Sequence, residues 1–188
     1  PLLLNYLSMI KESVIKLDHF ILDILDYSRN SRMDTKMEEI DFKSLLHDIT
    51  HDLQFINGHR HHVDIRINIK SNSTFVSDKT RLSIVLNNLI SNAIRYSNPR
   101  IADPYTEINV EACNKEAKIT VSDNGIGIRK ELQDKIFEMF YRASETSTGS
   151  GLGLYIVKET VQKLKGNISV KSEPGKGTAF HLYIPGVE

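Results

Sequence analysis

A change of hydrophobic period near residue 35 constrains this chain more than any other feature. Between residues 2 and 32, Leu3, Leu7, Ile10, Val14, Leu17, Ile21 and Ile24 recur at alternating steps of four and three. Leu4, Phe20 and Leu25 widen the stripe, and no Gly or Pro interrupts it after Pro1. This is a heptad seam on one helix, which at about 1.5 Å per residue would be roughly 45 Å long. So long and one-sided a helix needs helical partners, so a bundle or coiled coil is expected. A chain that begins abruptly inside a helix is expected to be a fragment of something longer.

The seam dissolves at "RNSRMDTKMEE", a charged stretch that reads as a linker, and the period then mixes. "DFKSLLHDITHDLQFING" is an amphipathic helix closed at Gly58, where a left-handed cap is expected. "HVDIRINIK" alternates Val63, Ile65, Ile67 and Ile69 with polar neighbours, the pattern of a half-buried strand. "DKTRLSIVLNNLISNAIRYS" is a second helix, with Asp78 as its N-cap. "TEINVEAC" and "EAKITVSD" pair around Asn114-Lys115, and a polar and aromatic region runs from about residue 124 to 150. The helix "GLGLYIVKETVQKLKG" ends at Gly166, and "NISVKSE" with "TAFHLYIP" closes as a hairpin around "PGKG". Strands that alternate in burial put one sheet face on helices and the other on water. The expected fold is therefore α+β: a two-layer sandwich with a mixed sheet covered on one face by helices, preceded by one long helix. The expected division is residues 1–36 as a partial dimerisation helix with its linker, and residues 37–188 as the globular domain.

Composition excludes several classes of function. Lys+Arg and Asp+Glu balance at 24 each, so no excess charge advertises a nucleic-acid partner, and none is expected. The single Cys113 rules out an internal disulfide or a cysteine-based metal cluster and suits a reducing compartment. No apolar run approaches the roughly 18 to 20 residues of a membrane span. No direct membrane contact is expected in this fragment, and its location is expected to be cytoplasmic, with a membrane anchor elsewhere in the longer protein left open.

Three stretches carry chemistry. On the second helix, Asn88, Asn92, Arg95 and Tyr96 line one face, while Leu82, Val85, Leu86, Leu89, Ala93 and Ile94 are apolar. Amide oxygens are hard, neutral ligands suited to Mg²⁺, and Arg95 offers a cation to phosphate oxygens. A solvated polar stripe would read the same from this helix alone. "VSDNGIGI" places Asp123 at a strand end, where a carboxylate can accept from the exocyclic amine of adenine and reject the carbonyl of guanine. Gly125 and Gly127 allow a tight turn and a close approach of backbone to the base. "KIFEMFYRAS", with Phe137, Phe140 and Tyr141, then "SETSTGSGLGLYIVKE", with Gly149, Gly151 and Gly153, looks like an anchored lid followed by a glycine hinge. The hinge opens a helix whose N-terminus favours phosphate. Polar residues precede it instead of a buried strand, and no Gly-Lys-Ser/Thr ends it, so a P-loop or dinucleotide fingerprint does not fit.

In that order the asparagine helix, the strand-end DNGIG, the aromatic lid and GSGLGL resemble the N, first G, F and second G boxes of sensor histidine kinases. Their ATP-binding fold is shared with gyrase B, Hsp90 and MutL. "GKGTAF" resembles the closing glycine hairpin of that family, and "LDHFILDILDYSR" resembles the second helix of its dimerisation and phosphoacceptor hairpin. The resemblance covers about residues 40 to 185 as catalytic domain. It implies ATP and Mg²⁺ as cofactors, with Asn88 and Asn92 holding the metal through the phosphates and Asp123 selecting adenine. It also implies that Arg95, Tyr96, Gly125, Gly127, Ile128, Phe140, Arg142, Ser150, Gly151, Leu152, Gly153, Leu154 and Thr178 line the ATP site, with residues 124–150 as the lid. As partners it implies a homodimer through the N-terminal helix bundle and the receiver domain of a response regulator, joined in a phosphorelay.

The phosphoacceptor pattern is absent from this chain. None of the seven histidines is followed by an acidic residue and then Thr-Pro or Asn-Pro. His19 precedes Phe20, and His59, His61 and His62 crowd a turn where metal binding is conceivable but a solvated turn explains them better. The γ-phosphoryl group would then pass to a histidine outside this chain. Two other readings remain, a gyrase-like ATPase module and a nucleotide-regulated scaffold. Against the first, the general-base Glu such ATPases carry one turn before the metal-binding Asn is here Asn88, which cannot act as a base.

Overall fold

The computed structural model describes residues 34–56, 63–142 and 150–186, together with scattered helical positions between Tyr6 and Ser28. Leu3, Leu4, His19, Gly58, His59, His61, His62 and residues 143–149, including Gly149, lie outside the described residues. Beyond the leading helix the elements run β1 (Glu38–Glu39), α1 (Phe42–Ile56), β2 (Asp64–Ser71), β3 (Val76–Ser77), α2 (Lys79–Arg95), β4 (Tyr105–Ala112), β5 (Glu116–Asp123), α3 (Gly153–Lys163), β6 (Asn167–Glu173) and β7 (Gly177–Pro185). Two short 3₁₀ turns, Lys130–Leu132 and Lys135–Phe137, interrupt the segment between β5 and α3.

Five strands form one mixed sheet in the order β2-β4-β5-β7-β6. β2 runs parallel to β4 across the α2 crossover, and the remaining pairs are antiparallel. Period-two burial explains the layering. Ile108, Val110, Ile119, Val121, Phe180, Leu182 and Ile184 face a helix layer, while Asn109, Thr120 and His181 fall on the open face. From α2, Leu82, Val85, Leu86, Leu89 and Ile90 supply the centre of the core. Truncating a leucine so fully buried costs about 2–5 kcal/mol, so the apolar face fixes the roll of α2 and leaves its amide face polar.

The expected α+β sandwich, covered on one face, is the observed fold. The expected linker, by contrast, contains structure. Glu38 and Glu39 pair antiparallel with Ser77 and Val76, and Ile40 N–H donates to Phe75 carbonyl at 2.9 Å. Two charged residues carry no alternation, so this ladder leaves no periodic signal. α3 ends as a Schellman motif: Gly166 N–H reaches Val161 carbonyl and Lys165 N–H reaches Gln162 carbonyl, both at 2.9 Å. The left-handed residue there is Lys165, at φ 57°. Among the described residues no helix is long and apolar enough to cross a membrane.

Candidate functional site

α2 positions the amide pair. Asp78 caps it, accepting from Arg81 N–H at 2.9 Å. Asn88 and Asn92 emerge half-buried one turn apart, and Arg95 is exposed at the last turn. Asn88 Nδ2 donates to Ile84 carbonyl at 2.9 Å, which leaves Oδ1 as the other end of the amide. That oxygen lies over the first turn of α3, since a Cβ on Gly153 would stand 2.7 Å from it. The N-cap residue of α3, Leu152, supplies no side-chain cap, and its own N–H donates to Ser150 Oγ at 3.0 Å. Neutral oxygens thus stand beside a helix N-terminus whose N-cap residue offers no side-chain acceptor, a donor set that suits a hard cation and phosphate oxygens.

Asp123 closes β5. Its Oδ1 accepts from Gly125 N–H at 2.8 Å and Thr178 N–H at 3.3 Å, and among the described residues Oδ2 has no donor. Burial pushes the carboxyl up to about 6, against the opposing pull of those two N–H groups. The turn behind it is bolted in place, with Ile126 N–H donating to Tyr96 carbonyl at 3.1 Å and Gly175 N–H to Ile126 carbonyl at 2.8 Å. A Cβ on Gly125 would stand 2.3 Å from Tyr96 carbonyl oxygen, and one on Gly127 would stand 2.1 Å from that of Glu173. At both positions a side chain would collide with protein backbone, so glycine is required by the packing of the turn. Tyr96 thereby gains a backbone role, its carbonyl receiving the turn.

The described residues on either side of 143–149 meet. Phe140 N–H donates to Gly151 carbonyl at 3.0 Å, and a Cβ on Gly151, at φ 79°, would stand 2.8 Å from the Phe140 carbonyl carbon. Phe140 itself holds φ 63° and is 56% exposed, a strained conformation for a bulky residue. Phe137 anchors the segment edge-on to Phe180, with ring centroids 6.3 Å apart. Leu152 is buried, Leu154 packs against the core, and Arg142 is exposed.

Sequence reasoning missed three supports. Ser172 Oγ accepts from Ile128 N–H at 2.7 Å, donates to Gly177 carbonyl at 2.8 Å and meets Thr178 Oγ1 at 2.9 Å. Gln133 Nε2 donates to the carbonyls of Ile128 and Ser172. Asn124 Oδ1 accepts from Tyr105 N–H at 2.8 Å, and its Nδ2 donates to Asp103 carbonyl at 2.9 Å. Only Ser172 left a signal, as a polar residue in step with Ile168 and Val170.

A family model described as histidine kinase-, DNA gyrase B-, and HSP90-like ATPase matches residues 77–188. The chain belongs to this ATPase family. Within it the relatives are sensor histidine kinases, and the chain is a domain of their ATP-binding catalytic type. The methanogenesis regulatory histidine kinase FilI of Methanothrix harundinacea is 33% identical over 180 residues, covering 95% of this chain and 20% of the relative. The sensor-like histidine kinase SenX3 of Mycobacterium tuberculosis is 40% identical over 127 residues, 65% of this chain and 30% of the relative. The phosphate regulon sensor protein PhoR of Haemophilus influenzae is 30% identical over 156 residues, 81% of this chain and 36% of the relative. The chain therefore spans between 20% and 36% of the length of these ATPase-family relatives. Full-length ShkA, solved in complex with AMPPNP, shares the fold with a TM-score of 0.76 at 23% identity, over 98% of this chain and 39% of that one. The mycobacterial sensor histidine kinase MprB gives 0.64 at 25% identity, over 79% of this chain and 98% of that one.

Proposed function

We propose that the chain binds Mg²⁺–ATP as the phosphoryl donor of a two-component sensor histidine kinase. The γ-phosphoryl group then passes to a histidine on a dimerisation helix outside this chain, for relay to a response-regulator aspartate. On this reading residues 1–36 belong to the dimerisation helix and linker, and residues 37–188 to the ATP-binding catalytic domain. The protein works in the cytoplasm as a homodimer through the leading helix.

The observation that carries the reading is Asp123, with one oxygen tied by two backbone N–H groups and the other unengaged among the described residues. Oδ2 accepts from the 6-amino group of adenine, and the carbonyl of guanine at that position would repel it. Asn88 and Asn92 hold Mg²⁺ beside the phosphates, Arg95 neutralises their charge, and residues Ser150 to Leu154 bring backbone N–H groups to them. Tyr96, Ile128, Phe140 and Arg142 form the rim, and Thr178 supports Asp123. That ShkA, of the same fold, is solved with AMPPNP supports an adenine nucleotide as ligand. Bound ATP supplies the electrophilic phosphoryl group. The contribution of this chain is position and charge neutralisation.

Titration of Mg²⁺–ATP tests the reading. Asn92→Ala and Asp123→Ala should each weaken binding about tenfold or more, the weight of one charge-assisted contact. Unchanged affinity in both would overturn it in favour of a scaffold. Radiolabelled ATP should leave no acid-labile phosphate on this chain, whose hydrolysis should stay below about 1 s⁻¹. Faster steady turnover would mark a gyrase-like ATPase, which the amide at Asn88 does not support.

A further inference from the structure

Four polar side chains end the core-facing rows of the sheet at the Asp123 end. Thr106 on β4 stands directly opposite Asp123 on β5, Asp123 opposite Thr178 on β7, and Thr178 opposite Ser172 on β6. Ser172, Thr178 and Asp123 are tied together or to backbone N–H groups. Thr106 is different. It is 0% exposed, and its Oγ1 is the buried side-chain polar atom without a hydrogen-bond partner among the described residues.

A buried hydroxyl with no partner lowers stability, and valine would fill the same β-branched volume on a strand without that penalty. Asp123 Oδ2 is the neighbouring acceptor that, among the described residues, also lacks a donor. Directly paired residues on adjacent strands hold their Cβ atoms roughly 4.5–5.5 Å apart, a gap that one water closes with a hydrogen bond on each side. The position is polar on both sides and adjoins the site, so a water there has its partners.

We propose that Thr106 is a positioning residue for purine specificity. Its hydroxyl, through one bridging water, holds Asp123 Oδ2 in the orientation that accepts from the 6-amino group of adenine. This rests on the proposed role of Asp123 in meeting that amine. The amine side of the base then reads a carboxylate braced on both flanks, by Thr178 N–H on Oδ1 and by Thr106 on Oδ2.

Calorimetric titration of the chain with Mg²⁺–ATP and with purine riboside triphosphate, which lacks the 6-amino group, tests it. Thr106→Val should weaken ATP about tenfold, the size of one lost hydrogen bond to a charged group, and leave the riboside triphosphate within about twofold. Thr106→Ser should restore ATP to within about threefold. The nucleotide-free melting temperature of Thr106→Val should be unchanged or higher. ATP affinity within twofold of wild type, or equal weakening of both nucleotides, would overturn the assignment; equal weakening would mark a structural effect. Should Thr106→Val not fold, Thr106→Ala gives the same comparison. A wild-type chain that binds both nucleotides equally would instead overturn the role of Asp123 itself, and this inference with it.

Discussion

At the scale of single residues, the proposed role of Asp123 should couple stability and ligand binding in opposite directions. Its carboxyl is raised by burial from 3.8 to about 6. Between those values the folded chain holds a proton that the unfolded chain releases. Nucleotide-free stability is therefore highest below about pH 4, falls as pH rises to about 6, and stays at the lower level above. Asp123→Asn should remove that dependence and raise stability at pH 7.5 by about 1–2 kcal/mol, seen as a melting temperature a few degrees higher. Accepting from an amine needs the ionised form, so ATP affinity should fall as pH drops through about 6. Melts and titrations from pH 5 to 8 check both signs, and parallel trends would contradict the role given to Asp123. Two glycines separate in a similar way. Gly125→Ala drives a Cβ into Tyr96 carbonyl oxygen and should lower stability by about 2 kcal/mol or more. Gly153→Ala meets only the side-chain oxygen of Asn88, so it should keep or slightly raise stability while weakening Mg²⁺–ATP binding.

At the scale of elements, the N-terminus of α2 is a junction. Asp78 and Arg81 are both buried and form an ion pair, Lys36 N–H donates to Asp78 Oδ2 at 3.3 Å, and Arg81 donates to Thr35 Oγ1 at 3.2 Å. One carboxylate therefore caps the helix, neutralises a buried guanidinium and receives the chain arriving from the leading helix. Asp78→Ala should cost about 3–5 kcal/mol, because it removes the carboxylate that neutralises the buried Arg81 as well as the cap. Urea denaturation with an unchanged midpoint would contradict this. Asp78 was legible in the sequence as a cap. Its pairing with the linker was not, because Thr35 and Lys36 lie more than forty positions away and belong to no periodic pattern.

At the scale of the whole molecule, the leading helix leaves its seam open. Leu7, Ile10, Val14, Leu17, Ile21 and Ile24 are exposed, and Phe20 meets Phe140 with ring centroids 6.5 Å apart. Such an apolar stripe is a surface for association. The chain should form concentration-dependent dimers in sedimentation. Leu17→Glu with Ile21→Glu should give monomers whose Mg²⁺–ATP affinity stays within about twofold. A wild-type chain that remains monomeric at high concentration would contradict the pairing.

Sequence alone determined what depends on neighbours along the chain. Heptad spacing, period-two strands, the Asp78 cap and the glycine hairpin all act within a few residues, so each could be read locally. The side chains of the candidate site were legible for the same reason, since Asn88 and Asn92 share a helix face and Asp123 ends a strand. Tertiary structure alone decided which groups meet. Sheet order puts Thr106, Asp123, Thr178 and Ser172 in one row from four strands. Packing, too, makes Gly125 answer to Tyr96, Gly151 to Phe140, and Asn88 to the start of α3. These contacts arise from burying one face of a sheet under helices, and hydrophobic burial has no sequence-local direction.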